Sequence, residues 1–315
     1  MSITVPKDRT SGKNLIQLMP IIQTAFENCR IQEQKTGWME SNAKPDMMQW
    51  ISGRDVMIRS IDVDGFGDYP ATCEAFPSGG FSMDNKVFTL GFRRAVSFCW
   101  DRAENGDTDG VVNASNILSV FRKKQVIPEV DAYRFSKLAQ YAIGHGNVSD
   151  GNVYTDPADT LKDLRRDILA ITNEGLWQNS ELMIFMDLPL KESVVNLISG
   201  NNCCFIDGQG NLRNAVNSID GVPIETVYSK AFRTLYKFHN GFDGEFGFSA
   251  DSAGKQINWI IVPRSVPTAI VRYDLWKAFT PDQDQDGDSF KLLCSMYHDL
   301  WVNHCDLPSL FVNTQ

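Results

Sequence analysis

Residues 88–100 alternate between large apolar side chains and small or polar ones. The large apolar residues at even positions are Phe88, Leu90, Phe92, Val96, Phe98 and Trp100. A period of two predicts a β-strand, which at about 3.3 Å per residue would span roughly 43 Å. A compact chain of this length has a radius of gyration near ~20 Å. The predicted strand would therefore cross the body of the protein or extend beyond it.

A second strand is predicted at residues 55–61. The stretch between the two strands, 62–85, is rich in Gly, Pro and Asp, which is typical of a loop. Pairing 55–61 with part of 88–100 gives a two-stranded ribbon, which is only marginally stable alone. We therefore expect the ribbon to lie on another surface, and in an assembly a neighbouring subunit supplies one.

Two helices are predicted in the first half of the chain. Apolar residues at helical spacing predict an amphipathic helix over 14–35, with Pro20 as a possible first helical position. A longer helix is predicted over 113–143. Pro128 is expected to kink it and to bias Ile127 away from helical angles.

The second half of the chain predicts a mixed α/β lobe followed by a mainly extended region from 268 to 315. In the lobe, helices and strands alternate. The predicted elements are helices at 157–173 and 189–198 and strands at 181–187 and 257–262. Together with the ribbon and the long helix they indicate an α+β protein.

Charge and hydropathy exclude several classes of protein. The chain of 315 residues has 30 basic and 39 acidic residues, a net charge of −9, whereas tight DNA binding usually requires a basic surplus. No apolar run approaches the ~18 residues needed to span a bilayer. The N-terminus lacks the apolar core of a signal peptide, so we expect the seven cysteines to be reduced thiols in a cytoplasmic protein.

One acidic segment is similar to a calcium loop. Asp282, Asp284 and Asp286 alternate before Gly287, but Leu293 stands where the loop requires a bidentate glutamate. An acidic surface turn is the favoured interpretation.

A cysteine–histidine group offers a weaker zinc hypothesis. Cys294, His298, His304 and Cys305 are close in sequence, but zinc needs four convergent ligands, and the last two point in opposite directions beyond a predicted strand. The favoured interpretation is that the cysteines only fill space in the core and that the histidine is hydrogen-bonded within the protein. With no hydrolase or phosphate-loop motif either, we expect a protein that is not an enzyme and has no cofactor.

Five charged residues have two interpretations each. Arg93 and Arg94 lie on opposite faces of the long strand, where they are either solubilising charges or members of an ion pair between subunits. Glu129, Asp131 and Arg134 follow the predicted kink. The spacing of Asp131 and Arg134 allows an i,i+3 pair, and a solvated helix face is slightly favoured.

Several segments, taken in order, resemble the major capsid proteins of tailed bacteriophages, which have the Hong Kong 97 fold. The matching segments are 126–139 for the spine helix, 65–69, 88–90 and 93–101 for the extended loop, and 279–286 and 297–302 for the closing strands. The resemblance covers 55–142 and 257–312. Over 157–255 only the pattern of elements matches.

The resemblance implies a division of the chain into four parts. Residues 1–54 would be the N-terminal arm and 55–100 the extended loop. Residues 101–154 and 266–315 would form the peripheral domain, and 155–265 the axial domain. The subunit-interface residues implied are Phe26, Gly67, Asp68, Tyr69, Arg93, Arg94, Glu129, Asp131 and Arg134.

The resemblance also implies a function. Members of the family assemble as pentamers and hexamers into an icosahedral shell around double-stranded DNA, in the virion, after assembly in the host cytoplasm. The implied partners are further copies of the chain, a portal, scaffolding or decoration proteins where the shell uses them, and DNA by weak non-specific contact, with no membrane. Lys86 lies at the base of the ribbon, which disfavours a covalent cross-link. An encapsulin-type shell is the nearest alternative, and a metal-dependent hydrolase is the alternative from another class.

Overall fold

The computed structural model describes most of the chain. The described residues are 13–43, 48–67, 78–101, 114–173, 175, 177–199, 204–206, 212–214, 218–242, 244–283 and 287–315. Their α-helices are α1 (Lys13–Glu33), α2 (Ala114–Phe121), α3 (Ile127–His145), α4 (Pro157–Thr172) and α5 (Leu188–Ser199). Their strands are β1 (Met48–Trp50), β2 (Asp55–Val63), β3 (Phe81–Thr89), β4 (Phe92–Asp101), β5 (Val148–Ser149), β6 (Leu182–Asp187), β7 (Cys204–Ile206), β8 (Leu212–Asn214), β9 (Ser218–Ile219), β10 (Val222–Val227), β11 (Tyr236–Phe238), β12 (Phe248–Ala250), β13 (Ile257–Pro263), β14 (Thr268–Phe279), β15 (Ser289–Trp301) and β16 (Phe311–Thr314). The predicted α+β class is confirmed.

A six-stranded sheet with the order β5-β16-β13-β6-β10-β9 forms the centre of the protein. Every residue of β6 and β13 is buried, because helices cover both faces. Phe185 packs with Phe135 of α3 on one face, while Ile184 packs with Leu164 of α4 on the other. Adjacent residues of a strand point to opposite faces, so the continuous apolar run of β6 belongs to a strand buried on both sides.

A second sheet, with the order β14-β15-β4, carries a separate core. One face of this sheet packs against α1 through Phe26, against α2 through Leu118 and against α3 through Val130. The sheet contributes Trp100 and Leu292, among others, to this core. α3 therefore contacts both sheets and joins the two cores.

The predicted long strand 88–100 is two strands in different sheets. β3 pairs with β2, whereas β4 pairs with β15 over ten residue pairs. The strand breaks at Leu90 and Gly91 because their amides bind elsewhere. The Leu90 amide donates to the Arg54 carbonyl at 2.9 Å, and the Gly91 amide donates to the Asp299 carboxylate at 3.0 Å. The ribbon is thus the hairpin β2–β3, and residues 81–85, predicted as loop, are strand.

The long helix runs from Ala114 to His145 through a π-helical segment, Arg122–Val126. We call this continuous element the spine helix. Ile127 has helical angles (φ −60°, ψ −52°), and its amide donates to the carbonyl of Arg122, five residues earlier. The prediction that Pro128 would move Ile127 out of the helical region is wrong. The wider π turn lies just before Pro128, which cannot donate a backbone hydrogen bond.

One further sequence expectation needs correction. α1 begins at Lys13, so Pro20 lies inside the helix rather than at its start. The resemblance places the final strand, β16, in the 266–315 segment of the peripheral domain. In the structure β16 pairs with β13, which lies in the 155–265 segment. Among the described residues, no helix is long and apolar enough to cross a membrane.

Candidate assembly surfaces

The hairpin β2–β3 has one exposed apolar face. We call this hairpin with its tip, residues 55–67 and 78–89, the arm. The cross-strand pairs Ile61–Met83 and Val63–Phe81 share one face, and their side chains are between 54% and 79% exposed. In the register of the hairpin, Ser60 is opposite Asp84 and Asp62 is opposite Ser82. A contiguous exposed apolar strip of this kind is typical of a protein–protein contact.

In the described part of the arm, the buried side chains lie at its base. There, Val56, Ile58 and Leu90 are buried and pack with Ile270 of β14. Further out, Asp64 accepts a hydrogen bond from the Gly80 amide at 2.7 Å, which closes the end of the ladder. The arm is therefore attached to the body at one end and presents apolar side chains at the other.

The tip of the arm is partly described. Phe66 and Gly67 are exposed, so Gly67 is accessible, as the interface prediction requires. Asp68 and Tyr69, which were predicted with it, lie outside the described residues.

Arg94 and Glu129 form an ion pair within the subunit. The Arg94 Nε donates to the Glu129 carboxylate at 2.5 Å. The same guanidinium donates to the carbonyls of His239 at 2.7 Å and Gly247 at 3.2 Å. Arg94 therefore ties β4 to the spine helix and to the loop 239–247. The interpretation of Arg94 as half of an ion pair between subunits is replaced by this internal role.

Arg93 points to the other face of β4, as predicted. Its guanidinium lies 5.1 Å from the centre of the Tyr297 ring, a cation–π contact across the β4–β15 pair. Its side chain is exposed. Arg93 thus stays a candidate for contact with a neighbour.

A buried ionic network joins α1 to the spine helix. Glu40 accepts hydrogen bonds from Arg30 at 2.6 and 2.8 Å and from Arg134 at 2.6 Å. Burial alone would raise the pKa of Glu40, but the two guanidinium groups outweigh it and hold that pKa below its usual value. Burial lowers the pKa of Arg134. The sequence favoured a solvated helix face at Arg134, whereas the structure buries this side chain in the network.

Asp131 has a different set of partners. Its carboxylate accepts from the Thr36 amide at 3.1 Å, the Thr36 hydroxyl at 2.5 Å and the Lys35 amide at 3.2 Å. Burial raises the pKa of Asp131, although the hydrogen bonds from Thr36 oppose it. The i,i+3 pair that the spacing allows is not formed, because Arg134 donates to Glu40 and to the Thr36 carbonyl instead.

Phe26 also has an internal role. It is 4% exposed and its ring meets that of Trp276 edge-to-face, with centroids 5.1 Å apart. Phe26, Glu129, Asp131 and Arg134 are thus all buried with partners in their own chain. The sequence analysis named these four residues but assigned their contacts to a neighbouring subunit. It missed Arg30 and Glu40, because their separation of ten residues gives no periodic signal.

The metal hypotheses receive no support from the geometry. His298 is buried among aromatic rings, with Phe92 at 4.9 Å and Tyr133 at 5.1 Å between centroids, while His304 and Cys305 lie in a separate turn. Asp282 is exposed, and Asp284 and Asp286 lie outside the described residues. Within the described ranges, no group of three or more His, Cys, Asp or Glu side chains could hold a metal ion.

An apolar cavity of about 380 Å³ lies between the β14-β15-β4 sheet and the spine helix. Phe98 of β4, Phe121 of α2 and Trp276 of β14 are among its apolar walls. The exposed residues Ala95 and Phe246 also line it, so the cavity reaches the surface. Its mouth lies beside β4, which is the edge strand of this sheet among the described residues.

Comparison with solved structures identifies the fold. A chain of Mycobacterium phage Che8 is 12% identical and aligns over 99% of this chain and 94% of its own, with a TM-score of 0.54. The capsid of cyanophage P-SCSP1u gives 11% identity, 84% of each chain and a TM-score of 0.56. The capsid of Staphylococcus phage Andhra gives 10% identity, 85% and 82% coverage and a TM-score of 0.53.

The chain has the fold of phage capsid chains. No protein-family model matches the sequence, and neither does any curated protein. The chain shares this fold with the three solved structures at 10–12% identity. The resemblance found in the sequence, which rested on an ordered set of segments, is confirmed by this shared fold.

Proposed function

We propose that this protein is the major capsid protein of a tailed phage, with a structural and non-enzymatic role. The observation that carries the proposal is the arm: a hairpin anchored at one end that exposes an apolar strip, Ile61–Met83 and Val63–Phe81, on one face. β1 pairs with β2 only over residues 56–58, so in the described residues the outer part of the arm is two-stranded. A two-stranded ribbon is marginal in water, and covering its apolar face with a neighbouring subunit stabilises both. The capsid fold supports the same conclusion.

The proposed assembly is a closed shell of pentamers and hexamers of the Hong Kong 97 type around double-stranded DNA. Residues 1–54 would be the N-terminal arm, 55–100 the extended loop, 101–154 with 266–315 the peripheral domain, and 155–265 the axial domain. The net charge of −9 suits an enclosing wall, since a surface that bound DNA tightly would hinder its packaging and release.

The proposed partners are chiefly further copies of this chain. A portal, and scaffolding or decoration proteins, would meet the shell at special positions. Assembly in the host cytoplasm and residence in the virion follow from the same proposal. Gly67 and Arg93, which are exposed, remain interface candidates, together with Asp68 and Tyr69 from the sequence prediction.

A matched pair of variants tests the role of the arm. Phe81→Asp places a charge on the apolar face, whereas Ser82→Asp places the same charge on the opposite face of the same strand. We expect both variants to keep the far-UV circular dichroism of the parent, and only Phe81→Asp to abolish large assemblies in sedimentation velocity. Equal assembly of both variants would contradict the proposal.

A further inference from the structure

Three polar side chains of the β11–β12 hairpin are hydrogen-bonded in a line. The Ser249 hydroxyl lies 2.9 Å from Nε2 of His239, and Nδ1 of the same ring lies 2.9 Å from the Glu245 carboxylate. We infer that Ser249 is a nucleophile that accepts an acyl group from an activated ester, with His239 as its general base and Glu245 as a positioning residue. The β11–β12 hairpin is separate from the arm, so this reactivity goes beyond the proposed function and does not depend on assembly.

The backbone of the hairpin brings the three side chains together. The His239 amide donates to the carbonyl of Gly247 at 3.0 Å, two residues before Ser249. Beyond this pair the Gly241 amide donates to the Glu245 carbonyl at 3.2 Å. Gly241 has a φ of 78°, a left-handed conformation that glycine adopts without strain, and it lets the chain reverse here. The reversal returns Glu245 to the side of His239.

One face of the hairpin packs on the body of the subunit, and the other carries Ser249. The ring of Phe238 lies 4.7 Å from that of Phe92 between centroids, and 6.2 Å from that of Phe248. Adjacent residues of a strand point to opposite faces, so Ser249 points away from Phe248, and it is exposed. Arg94 holds the hairpin through two backbone carbonyls. The nucleophile is therefore accessible on a hairpin that is fixed in place.

The acid–base roles follow from the two partners of the His239 ring. A carboxylate only accepts hydrogen bonds, so the proton of the neutral imidazole lies on Nδ1, facing Glu245. Nε2 then presents its lone pair to the Ser249 hydroxyl, as a general base for a serine nucleophile must. The His239 side chain is 13% exposed and that of Glu245 is 67% exposed. Because water reaches the carboxylate, we expect an acceleration at the low end of the roughly 10²–10⁴-fold that general-base catalysis contributes.

The acylation step forms one bond and breaks one. The Ser249 oxygen attacks the carbonyl carbon of the ester while its proton passes to Nε2 of His239. The bond from that carbon to the leaving oxygen then breaks, and the leaving alcohol takes the proton from Nε2. Lys237 is directly opposite Ser249 in the hairpin, where its positive charge favours the carbonyl oxygen that becomes negative. Since Ser249 faces solvent rather than a substrate pocket, we expect one acylation per subunit and no turnover.

Acetylation of the full-length protein by p-nitrophenyl acetate at pH 8 tests the reactivity of Ser249. Tandem mass spectrometry of the digested protein gives the rate of acetylation at each serine. Ser252, three residues later and also exposed, is the internal control. We expect Ser249 to be acetylated at least tenfold faster than Ser252. Equal rates at the two serines would overturn the inference, because the hydrogen-bonded line would then only stabilise the hairpin.

Four variants separate the base from the positioning residue. His239→Gln should slow the acetylation of Ser249 about tenfold, while the control His145→Gln, at an exposed histidine elsewhere, should leave it unchanged. Glu245→Gln should slow it about threefold, and Glu245→Asp, which keeps a carboxylate, should recover most of that loss.

The melting temperature of each variant shows whether the fold is retained. Unchanged acetylation of Ser249 in a folded His239→Gln variant would overturn the inference. If that variant does not fold, the ratio of Ser249 to Ser252 acetylation in the parent protein decides. Equal acetylation in Glu245→Gln and Glu245→Asp would remove the positioning role of Glu245.

Discussion

Arg134 of the spine helix donates a 2.6 Å hydrogen bond to Glu40, which follows α1, and Arg134 is fully buried. Arg30 of α1 binds the same carboxylate. Two positive charges and one negative charge thus meet in the interior, with Asp131 nearby on the spine helix. This arrangement ties the spine helix to α1 through the Glu40 carboxylate, in addition to the apolar contacts of Phe26 with the shared core.

Replacing Arg134 should destabilise the subunit strongly. Arg134→Met removes one of the two guanidinium groups that bind the buried Glu40 carboxylate, and removing one partner of a buried ion pair costs about 3–5 kcal/mol. We expect the free energy of unfolding to fall by about 3 kcal/mol in urea denaturation monitored by fluorescence. The control is Arg165→Met, which breaks the exposed pair with Asp220 and should cost less than about 1 kcal/mol. Equal losses in the two variants would contradict the structural role of the network.

Removing Arg94 should loosen the loop 239–247. In Arg94→Met the carbonyls of His239 and Gly247 lose a charged donor, and hydrogen bonds to charged groups contribute about 1.5–3 kcal/mol each. We expect amide hydrogen exchange in residues 239–249 to accelerate at least tenfold. Arg93→Met is the matched control, since Arg93 is the adjacent residue on the opposite face, and exchange in this loop should not change. Acceleration in both variants would show that the loop responds to β4 in general.

The buried ring of His298 predicts a loss of stability in acid. Burial, and then the charges of Arg134, Arg30 and Arg94, lower its pKa well below the usual value, and neither ring nitrogen has a hydrogen-bond partner in the described structure. Below pH ~6.5 the unfolded chain therefore binds a proton that the folded chain does not. The contribution of His298 to the free energy of unfolding is fully present above that pH, and it falls by up to about 1.4 kcal/mol per pH unit below it.

His298→Leu isolates this contribution. The variant should lose less stability than the parent between pH 6.5 and pH 5, as measured by urea denaturation at each pH. Subtracting the stability of one protein from that of the other at each pH cancels the contributions of groups that titrate in both. One of these groups is Asp131, whose raised pKa acts in the opposite direction. Parallel stability–pH curves would show that His298 is not the group responsible.

Two glycines should respond to alanine in opposite ways. A Cβ at Gly37 would lie 2.1 Å from the Ile31 carbonyl oxygen, whereas at Gly144, inside α3, nothing lies within 4 Å. We expect Gly37→Ala to lower the melting temperature and Gly144→Ala to raise stability by about 0.5–1 kcal/mol, the usual gain of alanine over glycine in a helix. A destabilised Gly144→Ala would indicate that this part of α3 is covered in the oligomer or strained in the subunit.

The sequence could predict which face of β4 is buried but not where the strand ends. The alternation of residues 88–100 matches the alternating burial of β4, because side-chain direction depends only on the local period. The break at Gly91 depends on Asp299, 208 residues away, and no local pattern contains that contact. The exchange of pairing partners between β3 and β4 was therefore beyond sequence reasoning.

The candidate site was predictable to a similar degree. The apolar strip of the arm follows from alternation once the register of β2 and β3 is known. Glu129, Asp131 and Arg134 were singled out as charges on a helix, yet their burial depends on α1, on Thr36 and on β4, which meet the spine helix only in the folded chain. Charge on a helix is usually solvated, and here tertiary packing overrides that expectation.

Sedimentation velocity of the purified full-length protein, followed by negative-stain electron microscopy of the fastest fraction, tests the central claim most directly. The account predicts pentamers, hexamers or closed shells of uniform size, with the arm between subunits. A folded monomer at every concentration, including with a crowding agent, would contradict it, since the apolar face of the arm would then have no covering surface.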